Sequence, residues 1–340
     1  MELASSETRK FDEFQHGVLR LYGAKKEEEL DALLSYEFGT AYSDYRASWT
    51  TAGRSSNFTF PIHLDFELND SCNQACVMCP RNTNSHPNTG YSLGTKKRFD
   101  LDVFERIMQE GRDHGLKSIN LGAYAEPLTH PKFFDFTEMA AAYGVIDIRM
   151  ITNGILLTPE RSDKLLESSV TNIFISIDAA SRETYSSIRG SGYDSVVTNI
   201  EYLLSRRQEN SAQIPLVRVS FVNMRTNQSE LDEFLAQWHN KVDFIDVQPG
   251  EDLSINPTHA SPANNDKRIQ CISPWQRLSI LANGDIIPCC SFYGRYIPIG
   301  NINSTSISEA WNGISMAGVR ANLLNGTSNV CEVCQSSSLL

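Results

Sequence analysis

The stretch that decides the fold reads DSCNQACVMCPRN, from Asp70 to Asn82. Cys72, Cys76 and Cys79 stand close together within it, and no fourth Cys or His adjoins them. A closed tetrahedral zinc site takes four ligands, commonly from two CxxC-type pairs. Three thiolates can instead hold three irons of a 4Fe–4S cluster and leave the fourth iron open to a small molecule. The preceding segment, Ile62–Leu68, alternates apolar and polar residues and reads as a strand. The triplet is therefore expected at the carboxyl end of that strand, where parallel α/β sheets carry their active sites.

Outward from the triplet, strands and helices alternate between residues 61 and 250. Further strands are expected at Ser118–Leu121, Ile146–Ile151, Ile173–Ile177, Leu216–Val222 and Val242–Val247. Helices are expected at Leu101–Gly111, Lys132–Tyr143, after Thr158-Pro159, after Ser181, over Ser195–Arg206 and at Ser229–Trp238. Thr158 is a favourable N-cap, and Pro159 suits the first helical position. Six βα units imply a parallel sheet with right-handed crossovers, two units short of a closed eight-fold barrel. The fold class expected is α/β, a partial (βα)6 barrel over residues 61–250.

Residues 1–60 read as a mostly helical extension, from the spacing of Phe11, Phe14, Val18, Leu19, Tyr22, Leu30, Leu33 and Leu34, with loop beyond. Residues 251–267 are rich in Pro, Ser and Asn and read as a linker. Residues 268–340 hold the other five cysteines and are expected to form a small second domain. It has a hairpin signal at Asn283-Gly284 and a short helix near Ser306–Trp311.

Composition narrows the function classes. The chain has 340 residues, 41% of them hydrophobic, enough for a packed core. Its formal charge of −11 argues against a nucleic-acid partner, because phosphate-backbone binders are usually basic. The start, MELASSETRKFDEF, lacks an apolar signal core, and no stretch approaches a transmembrane length. A cytoplasmic protein with no membrane partner is expected. In that compartment clustered cysteines are more often metal or redox groups than disulfides.

Cys72-Asn-Gln-Ala-Cys76-Val-Met-Cys79 resembles the signature of the radical SAM enzymes. Further motifs similar to that family's follow in order. Gly122-Ala-Tyr-Ala-Glu126-Pro127 resembles its Gly/Glu motif, with Ala125 where Gly is usual. Ile151-Thr152-Asn153-Gly154, Ile175-Ser176-Ile177-Asp178 and Ser187-Ile188-Arg189-Gly190 resemble three later elements. The resemblance implies that the open iron chelates S-adenosylmethionine, which one electron cleaves to a 5′-deoxyadenosyl radical. It implies a flavodoxin- or ferredoxin-type reductant. It also implies that Glu126 holds the cofactor ammonium, Asn153 lies near ribose or methionine, Ser176 makes a polar contact and Arg189 pairs with the carboxylate. Read without the family, Glu126 is a solvated loop acid, Asp178 a helix cap and Arg189 a surface ion pair.

Cys271-Ile-Ser-Pro-Trp275, Gly284-Asp-Ile-Ile-Pro-Cys289-Cys290 and Cys331-Glu-Val-Cys334 resemble a SPASM-type, single-cluster "twitch"-like domain. That resemblance implies an auxiliary 4Fe–4S cluster on Cys271, Cys289, Cys331 and Cys334. A four-cysteine zinc ribbon is the competing reading. Of eight cysteines one is left over, Cys290, and whether Cys289 or Cys290 is the ligand stays open. The spare Cys290 is a packing residue or a hydrogen-atom donor.

The function expected is hydrogen abstraction from a small polar, carbohydrate-like substrate, with sugars and nucleotide-linked sugars as candidates. The auxiliary cluster would assist a dehydrogenase-type oxidation. Three readings compete: a redox-neutral epimerase using Cys290, a ribosomal-peptide maturase, and a non-catalytic zinc scaffold.

Overall fold

The computed structural model describes residues 9–12, 18–23, 27–53, 58–79, 81–82, 97–250, 271–289, 298–328 and 330–331. The chain opens with a hairpin, β1 (Arg9–Asp12) and β2 (Val18–Tyr22), and two helices, α1 (Glu27–Phe38) and α2 (Thr40–Thr51). Five βα units and a sixth strand follow among the described residues: β3 (His63–Phe66) and α3 (Leu101–Asp113), β4 (Ser118–Leu121) and α4 (Phe133–Ala142), β5 (Asp147–Thr152) and α5 (Pro159–Leu166). Then come β6 (Asn172–Ser176) with α6 (Arg182–Ile188) and α7 (Tyr193–Glu209), β7 (Leu216–Asn223) with α8 (Leu231–Trp238), and β8 (Phe244–Pro249). The expected 251–267 linker lies outside the described residues; beyond it β9 (Arg277–Ile280), β10 (Asp285–Ile287), β11 (Gly300–Asn301), α9 (Ile307–Asn312) and α10 (Ile314–Leu324) follow.

All eleven strands share one sheet, in the order β1-β2-β8-β7-β6-β5-β4-β3-β9-β10-β11. Strands β3 to β8 are parallel neighbours in chain order, as the six expected units require. Local signals hold the helices in place. Asp100 accepts the Asp102 and Val103 amides at the start of α3, Thr158 caps α5, and Ser181 caps α6. Alternation then sorts each strand's side chains. Leu64 and Phe66 of β3 point outward into the helices, where Phe66 meets Phe99 and Phe104, and Phe104 meets Phe136. His63 and Asp65 point the other way, into the lumen.

Two expectations change. The first half of the extension is a hairpin, not helix: β2 pairs antiparallel with β8, Leu21 opposite Ile245. Over so few residues apolar spacing fits a strand or a helix, and a waiting sheet edge decides it. The presumed loop contains α2, whose Tyr42, Tyr45 and Trp49 recur at helical spacing; its aromatic, Leu-free composition hid the signal. The C-terminal region is also joined to the barrel through the sheet. β9 pairs in parallel with β3, Arg277 beside His63, and the Asn283-Gly284 hairpin returns β10 along it. Trp311 donates to the Phe58 carbonyl (2.7 Å) and Asn312 to that of Thr59 (2.9 Å), tying α9 to the segment before β3.

Candidate active site

The loop after β3 carries the cysteine triplet onto the carboxyl rim. Asn69 anchors it, donating to the Glu126 carbonyl (3.1 Å) and accepting from Thr129 (3.0 Å) and the Ser71 amide (3.0 Å). Its far side docks on α6: Val77 N–H donates to Ile188 (2.9 Å), and Gln74 donates to the Tyr185 hydroxyl (2.9 Å). Cys72 is exposed, Cys79 half-buried and Cys76 buried. Burial pushes the Cys76 thiol up to about 11, and its neighbours Cys79 and Cys72 add to this, while Arg189 works against it. Loading a metal group must therefore displace thiol protons.

The chemistry of the donor set tests what this loop can hold. Among the described residues no three Cys, His, Asp or Glu side chains converge as ligands of one metal ion would. A cubane cluster asks for something else, because each thiolate takes a different iron and stands at a separate corner. Three thiols on one loop, with Arg189 beside them to offset thiolate charge, fit a cluster with one iron free. They do not fit a closed zinc site.

The other rim residues gather around this loop. Gly122, after β4, has φ +96°, and a Cβ there would lie 2.6–2.7 Å from Pro127 and the Ile151 carbonyl, so only glycine fits. Ala125 needs no such freedom: among the described non-glycine residues only Asp178 and Ser211 have positive φ. Glu126 is buried, not solvated. Its carboxylate accepts from the Leu128 amide (3.2 Å), the Thr152 hydroxyl (2.8 Å) and the Asn153 amide (2.8 Å). Burial pushes its pKa up to about 7 against those three donors. Asn153 Nδ2 donates to Asn73 (2.6 Å) and lies 3.9 Å from Cys72 Sγ. Arg189 is no surface pair. Its Nε donates to Asp178 Oδ2 (2.7 Å) and its Nη1 lies 3.8 Å from Cys76 Sγ. Asp178 caps no helix; it sits at φ +62°, held by Arg189 and by the Val222 amide (2.7 Å). Ser176 ends β6 half-buried, in register with Ser220. The rim thus brings together Cys72, Cys76, Glu126, Asn153 and Arg189.

The C-terminal cysteines cluster separately. Cys289 packs with Leu281, Ile287 and Val330, and Cys331 packs on that group and on Trp275 and Leu323, beside Cys271. Cys271, Cys289 and Cys331 therefore share one neighbourhood, and Tyr124 packs against it from the barrel. Cys290 and Cys334 lie outside the described residues. Buried Glu67 links this region to the triplet loop: it receives the Arg81 guanidinium (2.6 Å) and the Ala282 amide (2.9 Å).

Sequence reasoning missed the lumen. Parallel register sets its polar side chains in rows, with Asp65, Asn120, Arg149 and Asn172 side by side across β3 to β6. They line a cavity of about 400 Å3, closed on one side by α1 and α2 and bounded at the carboxyl side by Ala123, Tyr124 and Gln248. Burial drives the His63 pKa down against the pull of Asp65, and its ring nitrogens sit at hydrogen-bond distance from Asp65 (3.1 Å) and the Ser118 hydroxyl (2.7 Å). Burial raises the Asp65 carboxyl, but the His63 ring beside it, then the Arg277 guanidinium at 3.6 Å and the Asn120 amide, outweigh that and hold it below the usual range. Asp246 receives both Arg20 and Arg218. Burial, with Arg20 and Arg149 nearby, brings Arg218 down to about 10 despite Asp246.

Comparison with known proteins agrees with this geometry. The family model of the Radical SAM superfamily matches residues 66–227, and that of the SPASM iron-sulfur cluster-binding domain matches 271–336. The two domains imply S-adenosylmethionine and iron–sulfur clusters. Mycofactocin maturase MftC of Mycobacterium tuberculosis is 32% identical over 176 residues, 51% of this chain and 41% of that protein. The chain thus spans less than half the length of that relative. The S-adenosyl-L-methionine-dependent 2-deoxy-scyllo-inosamine dehydrogenase of Niallia circulans is 22% identical over 81% of this chain and 93% of its own. Streptococcus suis SuiB bound to S-adenosylmethionine shares the fold, with TM-score 0.55 at 14% identity, covering 93% of this chain and 90% of that one. Among the described residues no helix is long and apolar enough to cross a membrane.

Proposed function

The chain belongs to the radical SAM superfamily and carries a SPASM iron–sulfur domain, and from that premise we propose that it oxidises a small polar, carbohydrate-like substrate held in the lumen. The observation that carries this reading is the cavity, whose wall at the carboxyl side includes Tyr124, the same residue that packs against the Cys289 neighbourhood. Tyr124 is thus the side chain through which a substrate in the cavity would adjoin the auxiliary cysteines.

Cys72, Cys76 and Cys79 would hold a cluster that with S-adenosylmethionine would supply radical hydrogen-abstraction chemistry, and Cys271, Cys289, Cys331 and Cys334 would hold an auxiliary cluster able to accept the second electron while a proton is released to solvent. The chain's own residues bind and exclude. Glu126 retains lone-pair capacity for an ammonium beyond its three donors. Arg189, fixed by Asp178, keeps donors for a carboxylate next to Cys76. Asn153 beside the triplet, and Ser176 at the end of β6, would supply polar contacts. Excluding water from such a site is the protein's main task in radical chemistry. A flavodoxin- or ferredoxin-type protein would deliver the electron.

A second reading, peptide maturation, is supported by the similarity to MftC. Anaerobic incubation of reconstituted, reduced enzyme with deuterated candidate substrates distinguishes the two. Deuterium entering 5′-deoxyadenosine, with a sugar product two hydrogens poorer, supports oxidation. Transfer only from a peptide, or an inverted product in which the lost deuterium is replaced by hydrogen with no net loss of hydrogen, overturns it.

A further inference from the structure

The lumen is more specific than "polar". In a chain of formal charge −11, this one cavity is lined by five arginines, on β2, α2, β5, β7 and β9. Their acidic partners are fewer. Asp147 is occupied by Arg149 at 2.9 Å, and Asp246 is shared between Arg20 and Arg218. Arg277 has only a loose approach to Asp65 at 3.6 Å. His63 is hydrogen-bonded within the wall, to Asp65 and Ser118.

The unpaired atoms are more telling than the count. Among the described residues Arg218 Nε, Arg277 Nε and Trp49 Nε1 are buried donors without a hydrogen-bond partner, and Asn120 Oδ1 is a buried acceptor without one. All four residues line the same cavity. Buried polar atoms are nearly always satisfied in native proteins, so four failures around one space point to a ligand. They fall at two poles. At one, Arg218, nine-tenths buried, has its guanidinium carbon 3.4 Å from the centre of the Phe174 ring and its Nη1 on Asp246, with Nε left unpaired. At the other, Trp49 stacks near Arg277 (5.6 Å) and His63 (5.8 Å), and His63 shares Asp65 with Asn120.

We propose that this cavity binds a small hydroxylated molecule with one anionic head, a carboxylate or a phosphate, the head seated on Arg218 and the hydroxyls read by Arg277, Trp49 and Asn120. A planar fork matches both anions, and a donor–acceptor mixture at the far pole matches hydroxyl groups, which both give and take hydrogen bonds. The inference rests on the substrate reading above and names its class: the carbohydrate is an acid or a phosphate ester.

Calorimetry on the reconstituted full chain with S-adenosylmethionine tests it, using D-glucuronate, D-glucose 6-phosphate and neutral D-glucose as probes. At least one anionic probe should bind about tenfold or more tightly than glucose, and which one does identifies the head. Arg218→Gln should remove that preference, with Asp246 still held by Arg20, and Arg218→Lys, which keeps charge without the fork, should restore part of it. Glucose binding as well as both anions, no binding of either anion, or an unchanged preference in Arg218→Gln would overturn the proposal. The wild-type comparison decides even if a variant fails to fold. Absence of 5′-deoxyadenosine from the reduced wild type would sink the radical SAM reading alone, because the binding measurement needs no turnover.

Discussion

Leu64 and His63 are neighbours in sequence and face opposite ways across β3. Outside, Leu64 and Phe66 vanish into a packed layer of Phe104, Ile107 and Phe136. Inside, His63 and Asp65 join a wall of charged side chains around open space. The outer face gains stability from apolar burial. The inner face desolvates charges, which seldom stabilises a fold. The difference teaches that the helices' side of the sheet holds the protein together, while the lumen and its rim are kept for chemistry despite their cost.

Four experiments can break or sharpen that division. The largest effect belongs to the rim. Two cubane clusters predict about eight irons per chain; replacing Cys72, Cys76 and Cys79 together by Ala should remove about half of the iron on that count and all cleavage of S-adenosylmethionine. The apo melting temperature should hardly move. Collapse of the apo fold would show that rim and outer face cannot be separated.

Next is the outer face. Phe66→Ala deletes a fully buried ring between Phe99 and Phe104 and should cost about 3–5 kcal/mol in urea unfolding. A loss under about 1 kcal/mol would mean the outer layer can re-close, weakening the contrast.

The third concerns pH. Glu126 titrates near 7 in the fold, raised by burial from an ordinary 4.5. Between those values the folded state binds more protons than the unfolded, so apo stability should fall as pH rises through that window. The contribution is up to about 3 kcal/mol, and Glu126→Gln should flatten the slope. Urea midpoints at pH 5 and pH 8 measure it; equal slopes in both proteins would assign the acid to solvent after all.

Smallest is cofactor grip. Charge-assisted contacts contribute roughly 1.5–3 kcal/mol, so Glu126→Gln should weaken S-adenosylmethionine binding by an order of magnitude or more with iron content unchanged. An unaltered calorimetric affinity would leave Glu126 a purely structural anchor of Asn153 and Leu128.

What could be read beforehand follows the same division. The outer face was legible because apolar periodicity is local: β4 falls where expected, and Ser181 and Thr158 cap the helices assigned to them. The rim was legible through motif order, which placed Glu126, Asn153 and Arg189 around the triplet, although the Asp178 partner of Arg189 was not foreseen. The lumen was not legible. Polar residues on an alternating strand read as facing water, and only closure of the sheet turns that face inward. Nor does anything local join Arg20 to Asp246, 226 positions away. The hairpin β1–β2 was misread for a related reason, since its partner β8 lies equally far along the chain.

The sheet's two flanks have a history written into them. β3 waits for β9, and β8 is met by a β2 made long before it. During synthesis the β3 flank stays bare for some two hundred residues, because Leu64 pairs with Leu278. Bare strand flanks invite pairing with other chains. The nascent protein thus passes through a period of vulnerability that ends only when the iron–sulfur region emerges and seals the barrel's first strand. A chain interrupted just before Arg277 would lose Cys289, Cys331 and Cys334 and also be left adhesive.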